Sequence, residues 1–177
     1  MVNCRELGGS QRRKWMKDDD APAAKAVEPP PPGFAALPFG PPDGFICMTG
    51  PFYAKRESDG FVFGFRVEPR HCYLAKTCHG GMLVTFADQS IPLAVNVVAK
   101  RLFLMTISLS ADFLARTQLG AWVESRTQIL QMTKSMVFSH CVVSSDGAPT
   151  VRVSSVMKLG PPLEPGQRTF DLKELTA

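Results

Sequence analysis

The chain has 177 residues, a net charge of +4, and 45% apolar against 20% charged residues, enough for one domain with a real core. Its pI of about 8.9 comes from scattered basic residues, with no basic run interleaved with aromatics. That excludes a nucleic-acid binder and suits a small anionic ligand.

Five cysteines, Cys4, Cys47, Cys72, Cys78 and Cys141, are an odd number without framework spacing, which predicts reduced thiols and a cytoplasmic location. The N-terminus has no secretory apolar region, and no segment approaches the ~20 apolar residues of a membrane span. Residues 1–44 carry Asp18-Asp19-Asp20 and the run Glu28-Pro29-Pro30-Pro31-Pro32-Gly33, and read as an extended or disordered N-terminal arm. Arg12 to Trp15 read as part of a solvated tail. The later part of the arm can pack on the domain through Phe34, Leu37 and Phe39.

The domain is expected over residues 45–160. Phe45 to Lys55 suit a short strand or lid segment, and Ser58-Asp59-Gly60 a turn. Phe61, Phe63, Phe65 and Val67 then share one face of a strand, with Gly64 on the other face allowing close approach. Pro69 ends that strand, and a connection of about ten residues leads to His79.

From His79 to Lys100 the sequence reads HGGMLVTFADQSIPLAVNVVAK. Leu83, Phe86, Ala87, Ser90, Leu93, Ala94 and Val97 recur at helical spacing, so one stripe can be buried against a sheet. Gly80 and Gly81 sit at the helix entry, where they permit unusual backbone angles and close approach of a ligand. Unpaired N–H groups there can stabilise developing negative charge. Asp88 is the sole carboxylate of the stretch. It faces solvent, pairs with a base at a dimer interface, or does chemistry. Pro92 lacks the donor for the carbonyl of Asp88, which predicts a kink or an early helix end.

After Arg101 the rhythm becomes period two. Met105, Ile107, Leu109, Ala111 and Phe113 alternate with Thr106, Ser108, Ser110 and Asp112, which predicts a half-buried strand. Gln118-Leu119-Gly120 reads as a turn. Strands follow at about 121–131, 135–144 and 150–159, the last two joined at Asp146-Gly147. Pro161-Pro162 stop the final strand, and 161–177 form a loosely held C-terminal tail. One long helix among otherwise antiparallel strands is an α+β arrangement. The apolar surface that one helix leaves uncovered predicts a dimer, with sheets joined edge to edge.

His79-Gly80-Gly81, the acid nine residues after the histidine, the helix and the four following strands resemble the hotdog-fold acyl-CoA thioesterases. The nearest branch is the phenylacetate-degradation type, which includes the 4-hydroxybenzoyl-CoA thioesterases. The resemblance spans about Phe45 to Gly160. It implies an antiparallel sheet wrapped around one long helix, a homodimer or homotetramer, acyl-CoA as substrate, no cofactor, and an active site at a dimer interface. Asp88 would be general base or nucleophile, the Gly80 N–H an oxyanion donor, and Thr106 the hydroxyl that orients water. His79, Gly81 and Tyr73 would line the substrate, and Lys134 matches a base near the CoA phosphates. Two positions depart from the family loop: Tyr73 stands where asparagine is usual, and Lys76 where glycine is usual. Lysine takes a positive φ less readily than glycine, so the loop is expected to differ locally. The alternative reading is a non-catalytic acyl-CoA-binding or assembly module.

His71-Cys72 and Cys78-His79 match no common zinc spacing, so no metal is expected. Adjacent residues in an extended loop point opposite ways, which argues against a Cys78–His79 nucleophile pair. His79 reads first as a structural residue that fixes the helix entry. Phe61, Phe63 and Phe65 read as core or acyl-pocket wall, and Met132 and Met136 as core packing.

Overall fold

The computed structural model describes residues 28–164, apart from 39, 42, 59, 74 and 75. The expectations for residues 1–27, for Phe39, for Asp59 of the first turn and for the tail beyond 164 lie outside the described residues. Strands β1 (Ala35–Ala36), β2 (Tyr53–Glu57) and β3 (Gly60–Arg66) come first, with a short helix α1 (Phe45–Thr49) between β1 and β2. A 3-10 turn (Pro69–His71) and a small hairpin of β4 (Cys72–Tyr73) and β5 (Thr77–Cys78) lead into the long helix α2 (Gly80–Ala99). Strands β6 (Leu104–Phe113), β7 (Trp122–Met132), β8 (Met136–Ser145) and β9 (Ala148–Leu159) complete the chain. The main sheet has seven antiparallel strands in the order β1-β2-β3-β7-β8-β9-β6.

The helix lies against this sheet, and the core forms between them. Phe63, Phe65 and Val67 are fully buried beside Leu83, Phe86, Ile91 and Val95 of α2 and Val137, Cys141, Val153 and Met157 of β8 and β9. This is the hotdog arrangement that the resemblance implied. Phe65 of β3 forms a ring cluster with Phe52 and Phe86, its centroid lying 4.8 Å from that of Phe86. On the other face of β3, Gly64 lies against Trp122, and a Cβ there would clash with the indole ring. Edge-on contact of Phe34 with Trp122 and partial burial of Leu37 against the core tie the later part of the arm to the sheet.

Four features differ from the sequence reading. The segment 45–55 holds a five-residue helix and then a strand, not a single strand or lid. Helix α2 runs through Pro92 to Ala99, so the early end does not occur. Its most apolar 18 residues have a mean hydropathy of 1.4, so a segment of membrane-spanning length does exist; packing against the sheet accounts for its apolar face. The fourth difference is in β6. Its pairing with β9 shifts between Thr106 and Ser108, a bulge centred on Ile107. Thr106 pairs with buried Met157, and Leu109, Ala111 and Phe113 pair with Ser155, Val153 and Val151, which are also buried. Thr106 therefore shares the helix-facing side with Leu109, whereas Met105, opposite exposed Lys158, faces away. Strict alternation had put Thr106 with the serines.

Candidate active site

His79 closes the start of α2. It sits at the N-cap position in an extended conformation, and its Nδ1 accepts the Gly81 N–H at 2.9 Å. That leaves the Gly80 N–H, one residue earlier, without a partner among the described residues. It is the kind of orphan donor that a helix start provides for a developing negative charge. The ring of Phe113 lies over Gly80, where a Cβ would come within 2.9 Å of its edge. Composition alone gave no signal for Phe113, because its place follows from the β6 register.

The approach to the helix is pinned on both sides. The His79 N–H donates to the carbonyl of His71 and the Cys78 N–H to that of Thr117, both at 2.8 Å, and the Leu119 N–H donates to the Lys76 carbonyl at 2.9 Å. Lys76 sits at φ +53°. Lysine thus takes a left-handed position there, a conformation that glycine adopts at less cost. Left-handed backbone costs a β-carbon residue about 1–2 kcal/mol. Tyr73 is 48% exposed, and its ring meets the His79 ring edge-on at 6.4 Å.

His71, which the sequence reading left without a role, is 4% exposed and packs edge-on against Phe65. Its Nδ1 accepts the Glu68 N–H at 3.0 Å. Burial, and then the neighbouring charge of Arg70, lower its pKa from 6.5 to about 4. The neutral ring is part of what carries the loop.

Asp88 is half-buried, two turns along α2 from the helix start. Its Oδ1 accepts the Thr106 hydroxyl at 2.8 Å. The bulge at Ile107 makes this contact possible by turning Thr106 toward the helix. Asp88 and Thr106 are thus brought together, and neither pairs with a base among the described residues. Lys134 is exposed on the β7–β8 turn, where the Thr133 hydroxyl accepts the Met136 N–H and the Ser135 carbonyl accepts the Leu159 N–H. That places it at the end of the sheet, apart from the loop of His79.

Other candidates fall away on geometry. Burial, then the adjacent Cys72, push the Cys78 thiol up to about 12, which removes it as a nucleophile at neutral pH. Among the described residues no group of three or more His, Cys, Asp or Glu side chains could hold a metal ion. A cavity of about 700 Å³ opens where β3 leaves β7, lined by Phe61, Val62, Ala94, Val97 and Ile129. Val97 is nine residues from Asp88, half a turn out of phase on a helix, so this cavity lies across α2 from the Asp88–Thr106 pair. Phe61 lines it, while Phe63 and Phe65 are core and Met132 packs against the core.

Residues 75–151 match the thioesterase superfamily model. The chain is 27% identical over 116 residues to "Putative esterase PA0474" of Pseudomonas aeruginosa, covering 64% of this chain and 87% of that protein. Among solved structures, a variant of the phenylacetic acid degradation protein PaaI from Thermus thermophilus superposes with a TM-score of 0.58. It is 22% identical and covers 65% of this chain and 97% of its own. A hypothetical thioesterase from Streptococcus pneumoniae, solved with coenzyme A, gives a TM-score of 0.57 at 18% identity, covering 63% and 91%.

Proposed function

We propose that this chain, which carries a thioesterase-superfamily domain over residues 75–151 and is a thioester hydrolase by that membership, acts on acyl-CoA with Asp88 as its general base or nucleophile. The observation that carries the reading is the hydrogen bond from Thr106 to Asp88 Oδ1. It orients the carboxylate and leaves its second oxygen without a partner among the described residues. That oxygen takes a proton from water as hydroxide adds to the thioester carbonyl, or attacks the carbonyl itself to give an anhydride that water then opens. In either case the C–S bond breaks and CoA leaves as the thiolate. The Gly80 N–H is the donor for the oxyanion. Acyl-CoA as substrate rests on the likeness to the Streptococcus protein that holds coenzyme A. Lys134 is an exposed cation for its phosphates, Tyr73, His79 and Gly81 border the acyl group, and the odd, unframed cysteine set favours the cytoplasm.

One chain does not make this site alone. Gly80 and Asp88 are eight residues apart on one helix, about 12 Å along its axis, too far for one carbonyl to touch both. The reading therefore includes a second copy, Asp88 of one meeting the Gly80 N–H of the other, in a homodimer or a pair of such dimers. Half-exposed Met105, Ile107 and Phe113 on the edge strand β6 supply apolar surface for it.

The test is thiol release from a panel of aryl and aliphatic acyl-CoAs, with Asp88→Asn beside the wild type. Loss of a general base should lower turnover by roughly 10²–10⁴-fold. Turnover that survives the change refutes the assignment of Asp88. Tyr73 is exposed and does not reproduce the amide of the family loop, which favours a binding module; wild-type binding of acyl-CoA without turnover would select that reading.

A further inference from the structure

The hairpin before α2 places Cys72 and Cys78 directly opposite each other, as the Cα partners of β4 and β5. They do not exchange main-chain hydrogen bonds. The Cys72 N–H goes to the Pro69 carbonyl and the Cys78 N–H to that of Thr117, while the next residue, His79, donates to the His71 carbonyl. This is the non-hydrogen-bonded type of antiparallel pair, whose Cα atoms lie about 4.5 Å apart with side chains on one face. A disulfide needs a Cα separation of about 4.4–6.8 Å, so the backbone already has the spacing. Both cysteines are thiols; Cys78 is 4% exposed and Cys72 is half-buried.

We propose that Cys72 and Cys78 are an oxidisable dithiol that closes to a disulfide across the hairpin leading into α2. Cys72, the more accessible, attacks one sulfur of a low-molecular-weight disulfide such as oxidised glutathione. One glutathione thiolate leaves, and Cys72 carries a mixed disulfide. Cys78 then attacks the Cys72 sulfur and the second glutathione leaves as thiolate. The two cysteine protons pass to the two departing thiolates, the cysteine pair loses two electrons and glutathione disulfide gains them. Burial raises both thiols, so closure is slow at neutral pH and faster in mild alkali. The same high thiol pKa makes the closed bond a poor leaving partner, so it persists once formed. The closed form would staple the segment whose next residue caps α2.

The inference rests on the hairpin alone, and its test reads mass rather than activity. The full chain, fully reduced and desalted, is exposed to oxidised glutathione in mild alkali, alkylated, digested and mapped without reduction. The expected product is a peptide lighter by two hydrogens with Cys72 joined to Cys78. Cys78→Ala should stop at glutathione on Cys72, and Cys72→Ser should leave Cys78 to be alkylated. The proposal is overturned if Cys72 and Cys78 are both alkylated in a sample whose Cys47 has taken up glutathione, or if Cys72 is joined to another cysteine instead.

Discussion

Two inactive variants should restore each other when mixed. Asp88→Asn removes the carboxylate and leaves the helix intact. For the donor, Gly80→Pro deletes one N–H and little else. Gly80 is the first helical residue, where proline is well tolerated because its missing N–H has no helical partner. The preceding His79 already holds φ −65° and ψ 134°, the extended backbone that a residue before proline prefers. The added Cβ meets the side chain of Phe113, which is 56% exposed and can turn away. Each variant alone should lose at least ~10²-fold in kcat, the usual effect of removing an oxyanion donor or a base.

The ~12 Å between Gly80 and Asp88 on one helix then dictates the outcome of mixing. Each site takes its acid from one copy and its donor from the other. Half the randomly reassembled dimers carry one variant of each kind, and each of these has one doubly damaged site and one intact site. About a quarter of wild-type activity should return. The assay is acyl-CoA thiol release after co-denaturing and co-refolding equal amounts, with each variant refolded alone as the control. Activity that stays at the level of the separate variants, while mixed dimers are demonstrated by mass, would refute a site shared between copies.

Thr106→Val keeps the shape and loses the donor to Asp88. A hydrogen bond to a charged group contributes about 1.5–3 kcal/mol, so kcat/KM should fall roughly 10- to 100-fold, measured on a variant that circular dichroism shows to be folded. His71 is held neutral in the fold, its pKa lowered from 6.5 to about 4, so the unfolded chain takes up the proton first. Stability is full above pH 6.5 and is lost as pH falls toward 4, by up to about 3 kcal/mol from this group; urea titrations at several pH values, compared with His71→Gln, read it. Lys76→Gly should relieve the left-handed backbone at φ +53°, partly offset by the looser unfolded chain. A net gain of up to about 1 kcal/mol is expected, seen as a higher midpoint in urea.

Much of the fold is written in periodicities that each element carries by itself. Helix α2 follows from the spacing of Leu83, Phe86, Ala87 and Ser90, and the last three strands from alternation ended by turn residues such as Asp146 and Gly147, both at positive φ. Asp88 stood out as a lone acid on an apolar helix. What could not be read depends on partners distant in the sequence. Thr106 looks like any other residue of the polar phase until β9 fixes the pairing on both sides of Ile107. Phe45 to Thr49 is too short for a helical period to register against its neighbours. His71 looked like half of a weak metal motif because nothing local announces that Phe65 will cover it. The face-to-face meeting of Cys72 and Cys78 is a property of a hairpin only two residues wide on each side.

The bulge in β6 also determines which changes to the gene the Asp88–Thr106 contact can survive. Ile107 acts as a phase inserter: residues before it read in the opposite phase from those after it. Deleting that one codon would restore perfect alternation and leave every pairing as it is, with Thr106 opposite Met157 and Ser108 opposite Val156, so Thr106 would still face the helix. Regular pairing through a retained Ile107 would instead turn Thr106 outward and Met105 inward, with Leu109 to Phe113 still held by β9. The contact is therefore specified by the way β6 pairs with β9 as much as by the residue at 106. A relative aligned without a gap at this point could keep both its aspartate and its threonine, and still not bring them together.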